Sequence, residues 1–283
     1  MPELPEVEVL VRHLRPLLQN RVVRAARVRR PKVLAPTSAR QFKNLLRGAR
    51  FLELSRRGKY LLFTLRPANS AKSRTLVGHL GMTGRMYLLP ARAPLPKHAA
   101  VVLDLGHENF VFEDTRYFGH LTFDTRGLEK LGPEPLEPAF TVASLAAALR
   151  SSSQAVKVKL LDQTVVAGVG NIYASEALFR ARLSPTLPAR SLRRAQVECL
   201  WQGIRDVLAE AVRCGSTVPL NFSGSGKADG LFYFGRTPGA PDYYAERLLV
   251  YDRANQPCPN CGEAIQRLTQ AARSTYYCPR CQA

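Results

Sequence analysis

At 283 residues and 46% hydrophobic content, the chain can bury a substantial core and is predicted to form two domains with a small appendage. With 41 Lys and Arg against 22 Asp and Glu, its formal charge of +19 predicts a polyanionic partner gripped through phosphates, nucleic acid before any other. Acids at positions 3, 6 and 8, and the lack of any run approaching ~18 apolar residues, argue against a secretion signal and a membrane span, so a cytoplasmic protein is expected.

In chain order, Val7, Leu10, Val11, Leu14, Leu17 and Leu18 recur with helical period, which predicts an amphipathic helix directly after Pro2. Between about 50 and 125 the pattern shortens to β-type runs: Tyr60 to Leu65, Thr75 to Leu80, Ala100 to Leu105 and Asn109 to Phe112, with a hairpin turn at Gly106-His107-Glu108. Pro133, Pro135 and Pro138 break both periods and mark a linker over about 131–140. Thr141 is placed to cap a helix from Val142 to Leu149, and further helices are predicted over about 154–163, 173–181 and 191–213. The stretch from Gly215 to Tyr244, rich in Gly, Pro and aromatics, reads as a long loop ahead of a separate cysteine-bearing unit.

Cys258-Pro-Asn-Cys261 and Cys278-Pro-Arg-Cys281, separated by 16 residues, predict one structural Zn2+ held by four thiolates. So small a unit has little core of its own and should need the metal to fold. Between the pairs, a polar turn would hold Arg273 at a fingertip where a phosphate could sit. Cys199 and Cys214, in an apolar helical segment, are expected to be inert thiols.

Loss of Met1 would leave Pro2 as a secondary amine beside the Glu3 carboxyl group. An α-amino group titrates near ~8 against ~10.4 for lysine, so it carries more free base at neutral pH and can attack an aldehyde-like sugar carbon to give an iminium ion. A plainer reading is that Pro5 suits a first helical turn, and Glu6 and Glu8 the positive end of its dipole. Gly168-Val-Gly170-Asn171, just ahead of a helix, offers backbone N–H groups and an amide to an anion, or is simply an inter-helix turn. Lys59, after Gly58, would ordinarily be a solvated charge. Met82 lies between glycines at a strand end, either as a wedge between bases or as filler of the core, and Arg116 and Phe118 fall on one side of an extended segment.

The segments PELPEVE, HLGMTG, DTRYFG, LGPEPL, LLDQTVVAGVGNIYASE and the CxxC pair, in this order from Pro2 to Cys281, resemble the bacterial formamidopyrimidine-DNA glycosylase (Fpg or MutM) family. The resemblance implies an α+β fold. An N-terminal β-sandwich with an N-terminal helix would occupy 1–130, a helical domain with a helix-two-turn-helix motif and a lesion-covering loop 141–249, and a zinc finger 250–283. It implies a monomeric, nucleoid-associated repair enzyme acting on double-stranded DNA that contains an oxidised base or an abasic site. Such an enzyme excises 8-oxoguanine and formamidopyrimidines and cleaves the abasic strand by β,δ-elimination. Pro2 matches the nucleophile and Glu3 the acid that assists sugar-ring opening. Lys59, Asn171 and Arg273 match the phosphate clamp, Lys59 and Arg273 also counting with the catalytic set. Met82, Arg116 and Phe118 match the residues that fill the gap left by the extruded nucleotide, while His79, Lys157 and Tyr173 are further DNA-binding positions. The chain departs from the family pattern at Leu231 to Gly239, an extra aromatic segment where a short loop covers the extruded base, which puts base recognition in question. An endonuclease VIII-like preference for oxidised pyrimidines would keep Pro2 and Glu3; a non-catalytic zinc-ribbon DNA-binding protein would explain the charge and cysteines but neither Pro2-Glu3 nor Lys59.

Overall fold

The computed structural model describes residues 2–215 and 248–282, so the predicted loop from 216 on, with its 231–239 segment, lies outside the described residues. Two compact units emerge, the first built on Pro2 and Glu6–Glu129, the second on Glu3–Pro5 with residues 130–215 and 248–282.

Helix α1 (Leu4–Leu18) opens the chain. Its apolar stripe does what the period demands: Val7, Leu10, Val11 and Leu14 are wholly buried, while Leu17, predicted on the same face, stays 39% exposed and Leu18 takes the buried place in the last turn. The first unit continues through β1 (Ala25–Val28), a 3-10 turn at Pro31–Leu34, α2 (Ala39–Leu46), β2 (Arg50–Arg57), β3 (Tyr60–Arg66), β4 (Arg74–His79), β5 (Gly84–Pro90), β6 (Ala99–Asp104), β7 (Glu108–Asp114), β8 (His120–Thr122) and α3 (Arg126–Glu129). The strands form two antiparallel four-stranded sheets, ordered β2-β3-β4-β8 and β1-β6-β7-β5, that share one core. Phe63 of one sheet meets Phe110 of the other edge to face at 5.7 Å, which makes the unit a β-sandwich. Val102 of β6 is buried with Tyr87, Ala99 and Val111 in a satellite cluster.

In the second unit Thr141 caps α4 (Val142–Arg150) through a reciprocal box. Its Oγ1 accepts from the Ser144 N–H at 3.1 Å and the Ser144 Oγ accepts from the Thr141 N–H at 2.9 Å. The predicted 154–163 helix is only α5 (Val156–Leu160), because Asp162 pulls the chain into a turn by accepting from the Thr164 N–H at 3.0 Å. Residues 161–170 then lead into α6 (Asn171–Arg180), and α5, this double turn and α6 form the helix-two-turn-helix. After a 3-10 turn at Ala189–Ser191 comes α7 (Arg194–Arg213), where Cys199 is exposed and Cys214 half-buried. The last element is the hairpin of β9 (Gln266–Gln270) and β10 (Arg273–Tyr277). Among the described residues no helix is long and apolar enough to cross a membrane.

Candidate active site and nucleic-acid interface

In the first unit three turns carry the expected residues. Lys59 sits in the β2–β3 turn, where Gly58 takes φ +55° and the Arg56 guanidinium donates to the Gly58 carbonyl at 3.0 Å. Far from being a solvated charge, Lys59 is only 7% exposed. The β4–β5 turn lifts Met82 to 40% exposure, and the segment after β7 lifts Phe118 to 51%, with the Arg116 guanidinium 4.9 Å from its ring centroid. Core filling is therefore excluded for both Met82 and Phe118. One buried carboxylate braces the two tips: Asp114 accepts from Thr83 Oγ1 at 2.5 Å, from the Arg116 N–H at 3.1 Å and from the Gly119 N–H at 2.7 Å. Gly81, at φ +60°, lets the tips touch, since a Cβ there would lie 2.6 Å from the Gly119 nitrogen.

His79 ends β4, its ring tilted against that of Tyr60 with centroids 4.8 Å apart. Its Nδ1 accepts from the Gly81 N–H at 3.1 Å, so the neutral ring carries its proton on Nε2. Burial, then the charges of Lys59 and His120, pull its pKa down to about 4. His79 can therefore offer a hydrogen-bond donor at physiological pH but no positive charge. Because the folded pKa lies below the unfolded value near ~6.5, its contribution to stability is complete above ~6.5 and is lost as pH falls toward 4. His79→Gln should flatten this part of the acid stability curve, and imidazole NMR shifts should stay neutral down to about pH 5. A ring titrating near ~6.5 would contradict this account.

In the second unit the Gly168–Asn171 turn does bind an anion, but the anion is the protein's own. Glu3, 1% exposed, accepts from the Gly170 N–H at 2.8 Å, the Ile172 N–H at 2.9 Å and the Tyr173 N–H at 3.3 Å, at the positive end of α6. The N–H groups expected to await a DNA phosphate are thus occupied. Gly168 holds the turn at φ +90° and its carbonyl accepts from the Leu4 N–H at 3.0 Å. Gln163 fixes the loop from inside, donating to Val169 O at 2.8 Å and accepting from the Gly168 N–H at 3.0 Å.

Lys157, placed near the lesion strand by resemblance, is wholly buried and donates to Asn171 Oδ1. Burial first, and Arg273 next, lower its pKa to about 8. The Asn171 amide is itself engaged, donating to the Ser274 carbonyl at 2.9 Å. Arg273 is exposed beside the two-residue turn Ala271-Ala272, whose φ angles of +47° and +58° alanine rarely adopts. Tyr173 is buried.

The sulfurs of Cys258, Cys261, Cys278 and Cys281 lie within 4.8 Å of one another. Zn–S bonds of about 2.3 Å in a tetrahedron require sulfurs about 3.8 Å apart, and the Cys258–Cys281 and Cys261–Cys278 separations are 3.9 and 3.5 Å. The four thiolates therefore fit one closed, structural zinc ion. Behind them Glu176 of α6, 1% exposed, accepts the N–H groups of Leu249, Val250 and Tyr251 at 2.8–3.0 Å and ties the segment leading into the finger to the helix.

Comparison with known proteins agrees with these features along the whole chain. The formamidopyrimidine-DNA glycosylase N-terminal domain matches residues 1–121, the formamidopyrimidine-DNA glycosylase H2TH domain 131–221, and the zinc finger found in FPG and IleRS 255–283. A formamidopyrimidine-DNA glycosylase of Thermus thermophilus is 42% identical over 289 residues, spanning all of this chain and 98% of its own. The chain belongs to the formamidopyrimidine-DNA glycosylase family. A crystal structure of the MutM (FPG) protein from Thermus thermophilus superposes with a TM-score of 0.81 at 41% identity, covering 99% of this chain and 98% of that one. A Lactococcus lactis FPG mutant in complex with Fapy-dG containing DNA gives a TM-score of 0.85 at 30% identity and 99% coverage of both chains.

For this glycosylase family member, sequence reasoning missed Asp114, Gln163, Glu176 and Ser274. Asp114, Gln163 and Glu176 lie inside quoted motifs, and an Asp ahead of a tight loop is a turn signal that could have marked the first. Ser274 contributes only its carbonyl, which no side-chain pattern reveals.

Proposed function

We propose that this glycosylase family member excises oxidised purines, chiefly 8-oxoguanine and formamidopyrimidines, from duplex DNA and then cleaves the abasic strand. The observation that carries the reading is the Glu3 carboxylate, fixed by three backbone N–H groups immediately after Pro2. With Met1 removed, the Pro2 nitrogen attacks C1′ and the C1′–base bond breaks. The Glu3 carboxylate takes the proton that the Pro2 nitrogen sheds on bonding to C1′ and passes it to O4′ as the sugar ring opens, leaving a C1′ iminium ion. Loss of a C2′ proton then expels the 3′ phosphate and a further elimination the 5′ phosphate.

Unstacking a nucleotide costs a few kcal/mol, and exposed Met82 and Phe118 suit occupation of the vacancy, with Arg116 beside them for the orphaned base. Lys59 and Arg273 serve as phosphate ligands, and His79 as a neutral donor. The catalytic sandwich is read as 1–130, the linker as 131–140, the helical DNA-binding domain as 141–249 and the finger as 250–283. The substrate reading is supported by relatives solved with DNA containing Fapy-dG, carbocyclic 8-oxo-G or an abasic site. Chromosomal DNA in the cytoplasm is the expected place of action.

Borohydride reduction during reaction with an 8-oxoguanine duplex should trap a covalent adduct at Pro2. Protein that retains Met1, or is acetylated at Pro2, should trap none. Full trapping by blocked protein would move the nucleophile to a lysine, and faster excision of oxidised pyrimidines than of 8-oxoguanine would move the specificity to the endonuclease VIII-like branch.

A further inference from the structure

We propose that the first unit carries a second nucleic-acid surface, a cationic wall along β1 and α2 that holds a further stretch of duplex DNA beside the one under repair. It rests on the reading above that Met82, Arg116 and Phe118 meet the lesion duplex. Residues 9–52 hold 12 Lys and Arg and not one Asp or Glu, and none of the 12 is a residue of the lesion site. Ala25, Arg27 and Arg29 point outward from β1 while Ala26 and Val28 pack on the core, as the two-residue period requires. Helix α2 lies against β1 and buries Phe42 and Leu46. Its other side shows Arg40, Lys43 and Arg47, spaced i, i+3 and i+7 and all exposed. Among the described residues none of Arg24, Arg27, Arg29, Arg40, Lys43 and Arg47 pairs with a carboxylate.

The wall leads away from the lesion tips. At one end the Arg30 guanidinium lies 5.2 Å from the ring centroid of Tyr117, the residue between Arg116 and Phe118. At the other end the Arg24 N–H donates to the Asp104 carbonyl at 2.8 Å, beside the hairpin turn that joins β6 to β7. Just after α2 the Gly48 N–H donates to the Val23 carbonyl at 2.7 Å, so Arg47 lies at this far end too. Extended chain of this length puts Arg24 about 20 Å from Arg30. A duplex seated on the tips therefore leaves the far end of the wall to another. The local energetics point outward as well. Arg40 stands in the first turn of α2, against the helix dipole, and Lys43 faces like charge on both sides at i−3 and i+4. These cations weaken the helix that carries them, and a row of phosphates turns their repulsion into attraction, with arginine forks matching phosphate oxygens. Counterion release gives such faces non-specific dissociation constants of roughly 10⁻⁴–10⁻⁶ M at physiological salt. A second stretch held this way keeps the next DNA at high local concentration.

The test starts from an isolated 1:1 complex of the full-length, zinc-bound protein with an unlabelled duplex containing a tetrahydrofuran abasic-site analogue. A labelled undamaged duplex is titrated into it, and anisotropy is followed from about 50 to 200 mM salt. The parent complex should take up the second duplex. The variant Arg40→Gln/Lys43→Gln/Arg47→Gln should bind it at least about tenfold more weakly, with the salt slope lowered by roughly 0.9 for each charge removed. Its affinity for the abasic duplex and its single-turnover excision rate should stay within about twofold of the parent. Arg40→Glu separates binding from folding. The new carboxylate suits the helix N-terminus and pairs with Lys43, so this variant should melt no lower than the parent while binding the second duplex about threefold or more weakly. No uptake of a second duplex by the parent complex, unchanged slopes in both variants, or equal loss on the abasic duplex would overturn the proposal. Failure of the parent to bind the abasic duplex would instead overturn the functional reading, and the slopes of free parent and variants on undamaged DNA would then judge the wall.

Discussion

Gly170→Ala should reduce excision and strand cleavage by at least ~100-fold and lower thermal stability as well. Gly170 has φ −132° and ψ −155°, an extended conformation that alanine adopts freely, so backbone strain plays no part. The cause is steric: a Cβ would stand 2.4 Å from Glu3 Cδ and 2.5 Å from its Oε1. The carboxylate must withdraw from the α6 terminus and lose hydrogen bonds that, to a charged group, are worth roughly 1.5–3 kcal/mol each. Glu3→Gln should fail for a related reason, since its NH2 would face N–H donors. Single-turnover rates on 8-oxoguanine and abasic duplexes, alongside a melting curve, decide the matter. Retention of more than half the parent rate by Gly170→Ala would show that Glu3 need not sit where it does.

Zinc removal is the second large effect. The finger's own apolar cluster is small, with Val250, Ile265 and Tyr276 at its centre and Phe179 borrowed from α6, too little to fold the segment unaided. Apparent zinc affinities of roughly 10–16 kcal/mol are folding energies in such units. Chelation, or Cys258→Ser, should therefore release the hairpin and lower DNA affinity at least ~100-fold, with the β-sandwich intact by circular dichroism and exchange. Metal-free protein that binds damaged duplex with full affinity would refute a structural role for the ion.

How legible all this is in the sequence depends on whether the physics is local. Helical period gives α1 and α7, the cap Thr141 gives α4, and Cys spacing gives the metal cluster. Short apolar runs mark β3, β4, β6 and β7, though only β3 alternates cleanly, while β2, reading Arg-Phe-Leu-Glu-Leu-Ser-Arg-Arg, hides its core residues Phe51 and Leu54 among charges, and the Ala-Ala-Arg-Val of β1 has hardly any pattern at all. Glycine placement announces an anion site before α6, yet no spacing rule says that the anion comes from residue 3. Likewise Lys59 reads as a solvated charge until its burial is seen. Long-range pairing is what a one-dimensional pattern does not carry.

The turn at Ala271-Ala272 bears on whether the finger is a portable module. Hairpins that stand alone favour Asn-Gly at such a turn, because those residues reach the left-handed region cheaply. Here that conformation comes with braces outside the finger: the Asn171 amide on Ser274, the Pro185 carbonyl on Gln270, and Glu176 on the segment before the first knuckle. Grafted onto another scaffold with its zinc, the segment would keep its metal knuckles but present Arg273 at a different angle. An Asn-Gly replacement at 271–272 is the natural way to make the transplant carry its geometry with it.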